Sequence, residues 1–314
     1  MRTARLFEAA GIASFPERST WDAEVVDIVA TMVHRWGLTV GDAHSGGISA
    51  TVLDVVRPDG SPAVLKVGYP HEEAIAEAVA LDALPRDCAP AVLAQDAWTW
   101  SMLLERVDPG QSLLDEALAP RAALVAGAEL LSRLSATRPV AGIPLLADVV
   151  TAQRRVARSR VDAQRDVLQS VGALDLVPSA LSDVDALVRS GMSSAFVHGD
   201  FNPGNILRSR DGWVAIDPKP MIGDPAFDLW PLVVQLGTPF GGPDPVSSLG
   251  EAVGVAARTA GCDPVRATRW AAVRSALAVT WYVHAGSLDV AAREADELRV
   301  WARLSERMTT GPVG

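Results

Sequence analysis

The chain has 314 residues, 49% of them hydrophobic, and a formal net charge of -10. That length and composition supply a full core for one large domain or two packed lobes, which excludes a disordered chain. The acidic balance excludes a nucleic-acid partner, because such binders present basic faces that release counterions from phosphates; it suits a cationic ligand, or an acidic soluble enzyme with no charge preference in its substrate.

At the start, Arg2 and Arg5 precede Leu6 and Phe7, but Glu8 breaks the apolar run, so no secretion signal is expected. From about Leu38 to Trp100 the residues read as strands, with β-branched runs at Ser49–Val56 and Ala63–Val67 joined by the turn Arg57–Gly60. This pattern predicts a hairpin. A helical stretch over Glu72–Leu84 follows, then Pro85, Pro90 and a second strand-rich piece ending at Met102–Val107. Past Asp108–Gly110 long helical patterns take over, beginning with Pro120–Ser135 and its leucines at 124, 130, 131 and 134. The helices are interrupted once, at Ala195–Asp217, where two short strands flank Ser209–Gly212, and resume at about Leu249–Thr259, Pro264–Ala285 and Val290–Met308. The expected fold class is α+β: a small, mostly-β lobe over residues 1–107 and a larger, mostly-helical lobe over residues 108–314. The apolar runs Leu229–Leu236 and Ala276–Val283 are core-sized, so no membrane span and a cytoplasmic protein are expected. Cys88 and Cys262 lack the paired spacing of a zinc site or a disulfide framework and read as two buried thiols.

Chemistry concentrates in Phe196–Leu207, where Asp200 and Asn205 stand five apart after His198 and Gly199. That is the spacing of the kinase catalytic loop, H-R-D-x-x-x-x-N, in which the aspartate accepts the proton of the substrate hydroxyl and the asparagine holds magnesium. A carboxylate accepts a proton near neutral pH, and a hard cation prefers oxygen donors. A hairpin turning at Asp211–Gly212 would set Asn205 and Asp217 side by side as two ligands for one Mg2+. Read singly, each aspartate is an ordinary turn carboxylate; motif, spacing and hairpin together make the case. Earlier in the chain, Ser45-Gly46-Gly47 precedes a strand and the hairpin leads to Lys66, the order of a kinase glycine-rich loop and its nucleotide-binding lysine. Glu73 and Glu77 share one helix face, and either would hold Lys66; Glu77 is preferred. No G-x-x-x-x-G-K-S/T run is present, which disfavours a P-loop.

His198-Gly199-Asp200 through Asn205, then Ala215–Pro220 with its Asp217-Pro218-Lys219-Pro220, and Gly223–Asp228 resemble the aminoglycoside 6-phosphotransferase and hydroxyurea phosphotransferase family of antibiotic kinases. The resemblance spans the layout from Gly46 to the last helices and is specific between residues 196 and 230. It implies a protein-kinase-like two-lobed fold, with nucleotide bound by the first lobe and the acceptor by the second. It implies ATP or GTP and Mg2+ as cofactors, Asp200 as base, Asn205 and Asp217 as metal ligands and Lys66 on the phosphates. Leu104–Val107, including Glu105 and Val107, would be the hinge whose backbone pairs with the base. His198 would be a scaffold for the loop, and Asp228 a carboxylate buttressing it through backbone amides. Lys219 is either a phosphate contact or half of a structural ion pair, for instance with Asp224. Trp281 and His284, three apart on a late helix, line the acceptor pocket or pack in the core. Glu294 and Glu297, with Asp296 between them, would hold a polar, cationic acceptor, or else form a solvated helix face. The resemblance implies a small antibiotic-like acceptor; a choline, amino-alcohol or sugar kinase and an inactive nucleotide-binding module are the rival readings. The sequence assigns no oligomeric state.

Overall fold

The computed structural model describes residues 17–44, 49–71, 74–190 and 194–310. A helix that the sequence reading lacks, α1 (Arg18–Trp36), comes first. Its buried Trp21, Val25 and Met32 lie at helical spacing along one face and join Leu65, Val67 and Leu103 in a single apolar cluster. The strands β1 (Thr39–His44), β2 (Ala50–Val56), β3 (Pro62–Gly68), β4 (Val92–Asp96) and β5 (Ser101–Glu105) form an antiparallel sheet in the order β1-β2-β3-β5-β4. The β2–β3 hairpin closes at the predicted turn, where the Gly60 amide donates to Arg57 O at 2.9 Å and the Asp59 carboxylate accepts from the Ser61 amide at 3.0 Å. Strand periodicity decides what β3 presents: Ala63, Leu65 and Val67 enter the apolar cluster, so Lys66 projects from the other face. The helix expected over Glu72–Leu84 is shorter, α2 (Glu77–Ala83), with turns at residues 74–76 before it. It stops at Leu84 because a residue preceding proline is driven out of the helical region, and Leu84 sits at ψ 145.

After β6 (Pro109–Ser112) come α3 (Pro120–Ser135), α4 (Leu146–Ala163), α5 (Arg165–Ser170) and α6 (Leu176–Arg189). Then β7 (Ala195–Val197), β8 (Ile206–Ser209), β9 (Gly212–Ala215) and β10 (Met221–Gly223) interrupt the helices, which continue as α7 (Leu229–Val234), α8 (Pro245–Ala260), α9 (Pro264–His284) and α10 (Leu288–Thr310). An aspartate followed by proline starts both α8 and α9: Asp244 accepts from the Ser247 amide at 3.1 Å and Asp263 from the Val265 amide at 2.9 Å. That cap places the start of α8 four residues before the expected Leu249. No helix among the described residues is long and apolar enough to cross a membrane.

The described residues divide into two compact units that interleave along the chain. The first contains the chain up to Ser112, with Val140–Ile143 and Asn205–Pro220; in it the β8–β9 hairpin joins β6 in a three-stranded sheet. The second contains Leu113–Pro139, Pro144–Gly204 and the chain from Met221 onward, and pairs β7 with β10. Cys88 is buried in the first unit, whereas Cys262 in the second is only partly buried, a correction to the expectation for that residue. Burial, with Asp224 and Asp228 nearby, still pushes its thiol up to about 12, which leaves it unreactive.

Candidate active site

In the first unit the Lys66 ammonium lies 2.5 Å from the Glu77 carboxylate and 2.5 Å from that of Asp217. Burial alone would lower the affinity of Lys66 for its proton, but Glu77 and then Asp217 outweigh it and raise it above the ordinary lysine value. The lysine is therefore held charged between two carboxylates. Glu77 occupies the first turn of α2, and Glu73 lies outside the described residues, as do Ser45, Gly46 and Gly47.

Asp217 stands at φ 60, the left-handed region, and directly before Pro218. A non-glycine residue in that conformation, and preceding proline, carries some backbone strain, and such strain collects at functional positions. The hairpin brings Asn205 to it with a register one residue from the expected symmetry: Ile206 pairs with Ala215, and Asn205 O accepts from the Ile216 amide at 2.9 Å. Asp217 is the next residue beyond that pair. An amide oxygen and a carboxylate at the open end of one hairpin are hard donors that fit Mg2+, which takes few protein ligands and completes its shell with water and phosphate oxygens. Lys219 lines a small cavity shared with Lys66, Glu77, Asp217, Ser49 and His71. At the end of β5, Glu105 is exposed, its amide donates to Ala91 O at 2.8 Å, and Val107 is half-buried two residues on.

The second unit carries the loop from β7. Asp228, fully buried, accepts from the His198 amide at 2.6 Å and the Gly199 amide at 2.8 Å. Burial pushes its carboxyl up to about 6, opposed by Arg274 and by these two amides. Gly199 takes φ 83, a bend that a side chain would resist. His198 is 1% exposed, its Nδ1 accepts from the Asp200 amide at 3.3 Å, and its ring meets Phe201 edge-on at 5.5 Å. The ring is thus enclosed by its own loop. Asn202 Nδ2 donates to Asp200 Oδ1 at 3.1 Å, and Asn202 Oδ1 accepts from the Gly204 amide at 3.0 Å. From α9, Arg274 donates to Gly199 O and to Phe227 O, each at 3.2 Å, and lies over the rings of Phe227 and Trp230. Asp224 is engaged by Arg266, by Trp270 Nε1 at 2.8 Å and by the Ala226 amide at 3.0 Å.

Trp281 is 54% exposed and His284 is exposed, which excludes the core reading for both. They fall at the last turn of α9, on the side opposite the buried Val283. On α10, Glu294 and Glu297 are partly buried one turn apart, while Asp296 is turned to Arg299 at 2.5 Å in an exposed ion pair. Burial, with Glu294 beside it, pushes the Glu297 carboxyl up to about 7 against the pull of Arg293. Glu294 Oε2 is buried with no hydrogen-bond partner among the described residues. Sequence reasoning missed Asn202, Arg274, Ser49 and His71. Asn202 lies inside the motif itself, whereas Arg274 acts from a helix more than 70 residues away and leaves no local signal.

Residues 35–286 match the family model described as aminoglycoside/hydroxyurea antibiotic resistance kinase. The hydroxyurea phosphotransferase of Kitasatospora aureofaciens is 35% identical over 277 residues, which cover 85% of this chain and 75% of that protein. The streptomycin 6-kinase of Streptomyces glaucescens is 34% identical over 216 residues, 68% of each. Among solved structures, the choline kinase LicA from Streptococcus pneumoniae superposes with a TM-score of 0.61 at 14% identity, covering 89% of this chain and 99% of that one. A likeness at that identity concerns the fold, which is α+β and protein-kinase-like. Because the family model spans most of the chain and contains both the Asp228-held loop and the Lys66 ion triad, the chain belongs to the aminoglycoside/hydroxyurea antibiotic resistance kinases and is a phosphotransferase acting on hydroxyl groups.

Proposed function

We propose that the enzyme transfers the γ-phosphoryl group of ATP or GTP to a hydroxyl of streptomycin-like aminoglycosides or of hydroxyurea, with Asp200 as the base. The observation that carries the assignment of roles is the ion triad of Lys66, Glu77 and Asp217, since a buried lysine fixed by one glutamate is a ready phosphate anchor. Lys66 orients the phosphates, and Lys219 adds a second positive charge in the same cavity. The backbone of Glu105 and Val107 takes the base; with the Glu105 amide engaged by Ala91, the contacts fall to the Glu105 carbonyl and the Val107 amide. Asn205 and Asp217 would hold magnesium, which when bound offsets charge on the phosphates. Asp200 takes the acceptor proton and aligns the hydroxyl. Asp228 and Arg274 keep the loop around Asp200 rigid by using up its backbone amides and carbonyls. Glu294 and Glu297 attract a cationic acceptor. A nucleotide donor of this kind suits a cytoplasmic enzyme. The presence of Lys66, Asp200, Asn205 and Asp217 together speaks against an inactive nucleotide-binding module.

The test is acceptor-dependent ADP release with streptomycin, hydroxyurea and choline, with mass spectrometry of the products. Turnover of streptomycin or hydroxyurea is expected, and Asp200→Asn should lower it by at least about a hundredfold while nucleotide binding persists. Choline turnover alone would replace the acceptor assignment, and parent-level activity in the Asp200 variant would remove the base.

A further inference from the structure

Within the loop, Asn202 makes two contacts that fix each other. Its Oδ1 accepts from the Gly204 amide at 3.0 Å, and a backbone N–H can only donate, so the carboxamide cannot turn over. The Nδ2 group is thereby aimed at Asp200, where it donates to Oδ1 at 3.1 Å and approaches the carbonyl O at 3.4 Å. The Asn202 amide also donates to Asp200 O at 2.9 Å, closing a tight turn that ties both backbone and side chain of one residue to the other. We infer that Asn202 is the positioning residue of the base, holding one carboxylate oxygen of Asp200 so that the other addresses the acceptor hydroxyl. The inference rests on Asp200 being that base.

The surroundings explain why a neutral donor stands here. Asp228, from the 3-10 turn after β10, already brings a carboxyl close to Asp200, His198 contributes a ring nitrogen that accepts, and Arg274 from α9 is directed to the carbonyls of Gly199 and Phe227. A carboxamide adds a donor on the Asp200 side without adding charge to a loop already flanked by Asp228 and Arg274.

Two substitutions separate positioning from scaffolding. Asn202→Asp keeps the acceptor for the Gly204 amide and the shape, but sets a carboxylate oxygen against Asp200; Asn202→Ala loses both contacts. If Asn202 serves only the loop, the alanine variant is the worse enzyme. If it positions the base, Asn202→Asp is worse, with kcat down by about a hundredfold, nucleotide Kd within twofold of the parent, and the acid limb of the rate profile moved to higher pH. A third variant covers the case in which Asn202→Asp does not fold: a Cβ at Gly204 would lie 3.1 Å from Asn202 Oδ1 and press the carboxamide aside by a few tenths of an ångström, so Gly204→Ala should lower kcat severalfold at unchanged nucleotide affinity. An alanine variant more impaired than the aspartate one, or parent kcat in Gly204→Ala, overturns the inference. Activity surviving in Asp200→Asn would instead overturn the base assignment beneath it.

Discussion

Lys66 is placed by two independent constraints, the alternation of β3 and the carboxylates that meet it. Its side chain is 10% exposed and that of Glu77 7%, whereas that of Asp217 is 40% exposed and keeps contact with water. Removing one member of a buried pair strands the other's charge, so Lys66→Met should cost about 3–5 kcal/mol in urea unfolding. The double variant Lys66→Met, Glu77→Leu should cost clearly less than the sum of the singles, because the stranded charge is gone. Strict additivity would show that the two do not act as one unit. At this scale the ion pair of Lys66 with Glu77 was legible from the order of strand and helix, while a partner supplied by a distant helix was not. Arg274 has no spacing relation to the loop it supports, and the burial that pushes Asp228 up to about 6 is a property of packing alone. Exposure was likewise unreadable for Trp281, since an apolar helix looks the same on its last turn as in its middle.

Hairpins and long helices follow from local signals, and most were legible. Pro120–Ser135 is both predicted and observed with identical bounds, because Pro120 at its start and the leucine periodicity agree. The start of α8 moved because the Asp244 cap extends the helix beyond its apolar residues. The short β6 and β10 escaped notice, as three or four residues carry no usable periodicity. At the start of β6 the chain bends at Gly110, at φ 78, where an added Cβ would meet Val107 O at 2.8 Å. Gly60 has φ 82 but nothing within 4 Å of such a Cβ. Gly60→Ala should therefore lose only the backbone preference, about 1 kcal/mol, while Gly110→Ala adds a collision and should lose about 2–3 kcal/mol. Thermal melting of the two variants checks this, and equal shifts would mean that the Val107 carbonyl yields freely. On the proposal that Val107 lies in the nucleotide hinge, the Gly110 variant should also raise the KM for nucleotide.

For the molecule as a whole, the proposal that Glu294 and Glu297 attract the acceptor makes a prediction about pH. As Glu297 loses its proton with rising pH through about 7, the pair gains charge, so the KM of a cationic acceptor should fall over that range. It should rise with salt, as the Debye length shortens to about 10 Å at 0.1 M. In Glu294→Gln, Glu297→Gln both dependences should vanish while the KM of ATP stays put; an unmoved acceptor KM would assign these residues to the helix face alone. The sequence names Glu294, Asp296 and Glu297 together, and only the structure separates them, because Asp296 is turned away to Arg299. The α+β class and the family were open to reading, since the segment 196–230 is specific; the interleaving of the units was not, because chain order does not disclose which hairpin completes which sheet. That interleaving gives synthesis on the ribosome a direction. Strand β6 and Lys66 emerge early, but the hairpin that pairs with β6 lies roughly a hundred residues after it, and Asp217 lies 151 residues after Lys66. At about 5–20 residues per second the nascent chain carries an unfinished sheet edge and an incomplete charge triad for several seconds, the interval in which a chaperone would find it.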